Sequence, residues 1–146
     1  MMKSAFSILV ILIALVGCKK EEIVFEATPN IEFVSISPTS VTEFQDEVIV
    51  TIKYRDGDGD LGENTPDVKN LFVTDSRNNV EYSFRVQQLA PSDSDINIEG
   101  QLEINLKTLS VVGVGDSESA IFDVYIVDRA GNQSNSISTL AITVSK

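Results

Sequence analysis

The stretch from Tyr54 to Gly62, YRDGDGDLG, sets Asp56, Asp58 and Asp60 at alternate positions with glycine between them. Carboxylates gathered so closely serve two kinds of chemistry: paired acid–base catalysis, and coordination of a hard cation. A later segment of similar character, DRAGNQSN, adds Asp128 and Asn132. Two unit charges about 6 Å apart repel by roughly 0.7 kcal/mol in water and by about 3 kcal/mol at an effective dielectric of 20. Such groups therefore spread into solvent or share a cation.

Calcium suits this composition, because it takes about six to eight oxygen ligands from carboxylates, amides and backbone carbonyls, and glycine lets a loop wrap it. The chain has no histidine and one cysteine, which argues against zinc or copper. Magnesium is a weaker fit, since it usually keeps several waters. The candidate ligands are Asp56, Asp58, Asp60 and Asp128, with Asn30, Glu32, Asp67 and Asn132 as further oxygen donors. An EF-hand is excluded: Leu61 stands where that loop needs glycine, Asp67 replaces its final glutamate, and no helices flank it. Asp and Gly are also ordinary turn formers, so an acidic turn without metal is the competing reading.

Catalysis finds little footing. Without histidine, Ser-His-Asp and Cys-His schemes are closed. GVGDS at residues 113–117 lacks the spacing and the lysine of a phosphate loop. Paired carboxylates can hydrolyse glycosides, but crowding at a loop corner reads more naturally as metal binding. No catalytic residue is assigned.

The elements that position these loops have the period of strands. Val48, Val50, Ile52 and Tyr54 alternate with Ile49, Thr51 and Lys53; Val80, Tyr82, Phe84 and Val86 alternate with Glu81, Ser83 and Arg85. Leu102, Ile104 and Leu106, then Phe122, Val124 and Ile126, then Leu140, Ile142 and Val144 do the same, and IEFVSIS and VKNLFVT complete seven segments. The DSRNN between two of them signals a tight hairpin. These segments, A 31–37, B 47–55, C 68–74, C′ 80–88, E 100–107, F 120–128 and G 136–144, predict an all-β, seven-stranded antiparallel sandwich of the immunoglobulin or fibronectin III type. A small barrel is the competing topology. In the sandwich, the loops after B and after F leave at one end, which brings Asp128 toward Asp56, Asp58 and Asp60. Asp56 and Asp128 also continue the inward parity of their strands.

The N-terminus supplies an address. Lys3, an apolar run from Ala5 to Val16, and Gly17 before Cys18 make a signal peptide, too short for a membrane span of roughly 20 residues. Leu15-Val16-Gly17-Cys18 resembles the bacterial lipobox, which implies cleavage before Cys18 and attachment of acyl chains to it; an ordinary secretory signal is the alternative. Lys20, Glu21 and Glu22 resemble the surface-export signal of Bacteroidota lipoproteins, with a plain solvated spacer as the alternative. The division is then residues 1–17 signal peptide, 18–30 lipidated cysteine and tether, and 31–146 sandwich domain. With 11 basic and 22 acidic residues and a net charge of −11, the chain repels nucleic acid and anionic headgroups.

YRDGDGDLG and VDRAGNQSN together resemble Bacteroidota lipoproteins with an immunoglobulin-like or cadherin-like sandwich. The resemblance implies an outer-membrane, lipid-anchored module facing the cell exterior, with calcium as its ion and no catalysis. Two roles follow. One is a structural or adhesion module in which calcium stiffens the corner beside the tether. The other is a ligand-binding accessory of an outer-membrane glycan uptake system, for which Phe72 and Tyr125, each off the inward parity of its strand, are the candidate aromatics.

Overall fold

A computed structural model of the chain describes residues 24–146. The signal segment, Cys18, Lys20, Glu21 and Glu22 lie outside the described residues. The alternating segments form β1 (Asn30–Ser37), β2 (Ser40–Thr42), β3 (Glu47–Asp56), β4 (Leu71–Asp75) and β5 (Val80–Phe84). They continue as β6 (Ile98–Thr108), β7 (Ser117–Ala120), β8 (Phe122–Ile126), β9 (Ile137–Ser138) and β10 (Ile142–Ser145). No helix occurs among the described residues.

The strands make three sheets, ordered β1-β3-β6, β5-β4-β8-β9 and β2-β10-β7. All pairings are antiparallel except that of β10 with β2. Only Ile121 separates β7 from β8, and residues 139–141 separate β9 from β10, so the third sheet carries on the strands of the second. Ile31 and Ile52 of the first sheet, Val73 and Phe122 of the second, and Val144 of the third belong to one buried cluster. The protein is thus all-β, in an arrangement consistent with a β-sandwich.

Ten strands stand where seven segments were expected. Segments F and G are each interrupted, and Ser40–Thr42 adds a strand too short to show alternation. The break in G overturns one expectation: Leu140, read as inward with Ile142 and Val144, is 67% exposed. Thr139 turns inward instead. Its N–H donates to the Phe122 carbonyl at 2.9 Å and its hydroxyl oxygen accepts the Phe122 N–H at 3.0 Å, which resets the alternation.

Three inward rows end in aspartate. In β3, Val48, Val50, Ile52 and Tyr54 lead to Asp56; in β4, Leu71 and Val73 lead to Asp75; beyond β8, Phe122, Val124 and Ile126 lead to Asp128, all of them buried. Asp75 pairs with Phe122 at the start of β8, so it lies at the opposite end from Asp128. There it is neutralised. Arg77, two residues on in the hairpin, donates to Asp75 from Nη2 at 2.6 Å and from Nε at 3.0 Å, and its Nη1 donates to Glu118 at 2.7 Å and to the Ser110 carbonyl at 2.9 Å. Asn79, at φ 57°, closes the hairpin.

A buried ion pair broken on one side leaves an uncompensated charge, at a cost of about 3–5 kcal/mol, whereas replacing both partners by apolar groups is often neutral. Arg77→Met is therefore expected to lower unfolding free energy by about that amount in urea titrations. The double variant Asp75→Leu/Arg77→Met should recover most of the loss. Equal destabilisation of the two would contradict this account of the hairpin end.

Candidate metal centre

The chain leaves β3 at Asp56 and turns back at once, because Leu61 drops into the core and is fully buried. That plug pins the acidic loop at its far side. The Leu61 N–H donates to Asp56 Oδ2 at 3.3 Å, and the Asp60 N–H approaches Asp58 Oδ1 at 3.4 Å. Gly62 follows with φ +89°, and a Cβ there would stand 2.2 Å from the Gln87 carbonyl oxygen, so a side chain is excluded both by backbone conformation and by space.

The loop after β8 closes onto this turn. The Arg129 N–H donates to the Asp60 carbonyl at 3.3 Å, the Ala130 N–H to Asp60 Oδ2 at 3.0 Å, and Arg129 Nη1 to the Gly62 carbonyl at 2.9 Å. The two acidic segments, about 70 residues apart in sequence, therefore meet at one corner.

Asp56, Asp58 and Asp60 each bring a carboxylate oxygen into a group within 4.8 Å of one another. Asp56 is fully buried. Its Oδ1 and the Oδ1 of Asp60 are both shut from solvent and accept no hydrogen bond. Burial first, and then the charges of Asp58 and Asp60, push the Asp56 carboxyl up to about 6. Asp60 is raised as well, by burial and then by Asp128 and Asp58. Among the described residues no Lys or Arg forms an ion pair with any of these four aspartates. Arg129 directs its guanidinium to the backbone carbonyls of Gly62 and Gly59.

The other candidate ligands are placed differently. Asp128 flanks the group without joining the close triplet; Asn132 donates to its two oxygens, from the backbone at 2.7 Å and from Nδ2 at 2.8 Å. Asn30 donates to Asn135 at 3.1 Å. Glu32 pairs with Arg55 at 3.0 Å on the outward face of β1 and β3. Asp67 is exposed and outside the triplet. Phe72 and Tyr125 stand opposite one another on β4 and β8 and stack, with ring centroids 4.9 Å apart.

Sequence reasoning left several residues of this corner without a role. Ser134 accepts the Ile126 N–H at 3.1 Å and donates to the Asn135 carbonyl at 2.7 Å. Asn135 accepts the Ile31 N–H and donates to the Ile31 carbonyl, both at 2.8 Å. Before β1, Phe25 and Glu26 lie against Gly57, where a Cβ would stand 2.3 Å and 2.6 Å from their carbonyl oxygens. Their signal would have been the polar spacing of DRAGNQSN and the glycine between two aspartates.

Three clustered carboxylates, two of them with an orphaned buried oxygen, are equipped to hold a cation, and without one they need a proton. The sign of the pH effect follows. A carboxyl raised from 3.8 to about 6 on folding favours the folded state fully below pH 3.8, and this contribution is lost as pH rises through 6. At full weight it amounts to at most about 3 kcal/mol. In chelator at pH 7.5, Asp56→Asn should therefore melt higher than the wild type, and the gap should close as pH falls to 4.5. A divalent cation held by the three carboxylates should reverse the order. Melting curves of the two proteins decide it, and an Asp56→Asn variant less stable under every condition would contradict the unneutralised corner. Neither a protein-family model, a curated protein nor a solved structure matches the chain.

Proposed function

We propose that this protein is a non-catalytic, membrane-anchored surface lipoprotein, whose immunoglobulin-like domain acts as a structural or adhesion module and binds calcium at the corner formed by the loops after β3 and β8. One observation carries the cation site: Asp56 and Asp60, clustered with Asp58, each keep a buried Oδ1 that has neither a donor nor an ion pair. Calcium is preferred because it tolerates an irregular shell of carboxylate and carbonyl oxygens, whereas magnesium demands a near-ideal octahedron with several waters. Asp56, Asp58 and Asp60 would hold the ion, with Asp128 adding negative charge behind them.

The strand order β1-β3-β6 facing β5-β4-β8-β9 supports an immunoglobulin-type topology, with β2 alongside β10 at the end of the second layer. A non-catalytic role is supported by the burial of Asp56, whose carboxyl is displaced furthest and cannot touch a substrate. The lipobox-like Leu15–Cys18 and the Lys20-Glu21-Glu22 triplet support anchoring through acylated Cys18 on the outer face of an outer membrane.

The stacked Phe72–Tyr125 pair favours the second reading, a glycan-binding accessory of an uptake system. It lies on the outer face of its sheet, with the Tyr125 hydroxyl donating to Glu81 at 3.3 Å. A saturable sugar on a glycan array, lost in Tyr125→Ala, would select that role over adhesion.

Calcium at 100 times its dissociation constant should stabilise the fold by about 2.7 kcal/mol, seen as a rise in melting midpoint from chelator to excess calcium. Asp58→Asn/Asp60→Asn should remove most of the rise. An unchanged midpoint would leave the acidic turn without metal as the better account.

A further inference from the structure

The segment Val24–Glu26 enters the domain across the acidic corner. Gly57, between Asp56 and Asp58, is its seat. A Cβ at Gly57 would meet Phe25 O at 2.3 Å, Glu26 O at 2.6 Å and Glu26 C at 2.7 Å, and its φ is outside the left-handed region. What requires glycine there is therefore the crossing strap itself. Val24 and Glu26 are exposed, and Phe25 between them is half-buried. The Phe25 N–H donates to Asn97 Oδ1 at 3.1 Å; Arg55 lies over the Phe25 ring at 5.9 Å. Cavities of about 290 Å³ and 390 Å³ open on its two flanks, and Val24 is 80% exposed.

We infer that the cation corner and this strap are energetically coupled, so that calcium fastens Phe25 and Glu26 onto Gly57 and its loss releases them. The inference rests on the calcium reading and adds a regulated element to it. Asp56, Gly57 and Asp58 are consecutive, so any spreading of the carboxylates moves the strap's seat. A segment as exposed as this one opens at low free energy. Spreading is what repulsion between unneutralised carboxylates drives. Linkage makes the effect reciprocal: if calcium favours the docked strap, the docked strap raises calcium affinity by the same factor.

The full chain, purified in detergent, allows the test. The sequence has no tryptophan, so Phe25→Trp provides a single emission signal at the strap. Calcium should shift that emission to the blue with the same midpoint as the heat of calcium binding measured by calorimetry. In the unsubstituted protein, hydrogen exchange at the Phe25 amide should slow at least tenfold when calcium is added. Gly57→Ala, whose three nearest collisions are all with the strap, should bind calcium at least fivefold more weakly and lose the protection at Phe25. Calcium heat with an unchanged Phe25 amide, or undiminished affinity in Gly57→Ala, would overturn the coupling while leaving the calcium site standing. Absence of both calcium heat and any melting shift would remove the site, and the coupling with it.

Discussion

A carboxylate removed from water has to find positive charge or take up a proton, and that requirement acts at both ends of this molecule. Inward rows of β3, β4 and β8 run out in Asp56, Asp75 and Asp128. At the hairpin end, Arg77 folds back two residues and grips Asp75 through the Nε–Nη2 edge of its guanidinium, with Glu118 on Nη1 completing the network. At the other end Asp56, Asp58 and Asp60 cluster, and Arg129 turns its guanidinium toward backbone carbonyls. One rule of strand parity thus gives a sealed end and an unfinished one. The second keeps two buried carboxylate oxygens, Asp56 Oδ1 and Asp60 Oδ1, that accept no hydrogen bond.

Much of this was legible because period two is a strong signal. The alternation of β3 and β8 places Asp56 and Asp128 inward from the sequence alone, and the order of strands brings their loops together. The same logic applied to Leu71, Val73 and Asp75 marks a third inward acid, which the turn signal of DSRNN masks. Parity also places Glu32 outward, next to inward Ile31, and there it meets Lys53 across the ladder and bonds Arg55. Which end of a strand a residue occupies says nothing of the face it takes. The interruptions at Ile121 and Thr139 were not legible, since they arise where strands change sheets and a side-chain hydroxyl replaces a ladder bond.

The polar run DRAGNQSN gains a physical reading once its partners are known. Asp128 and Asn132 lock the turn internally, Ser134 caps the end of β8, and Asn135 reaches across to the other sheet. Each side chain satisfies backbone or carboxylate groups that a loop of apolar residues would leave bare. The glycines of the acidic loop have a matching explanation. Other stretches of backbone lie directly upon them, so the loop is a junction of several chain segments as well as a tight turn.

Asn135 has one more effect, on how molecules meet. β1 is the outer strand of its sheet, and bare outer strands invite edge-on zippering between neighbours. The carboxamide of Asn135 occupies both the donor and the acceptor of Ile31, as a short piece of foreign strand would. At that point the ladder is already closed. A second copy of the chain cannot extend this sheet through Ile31, which disfavours edge-to-edge fibres at that point.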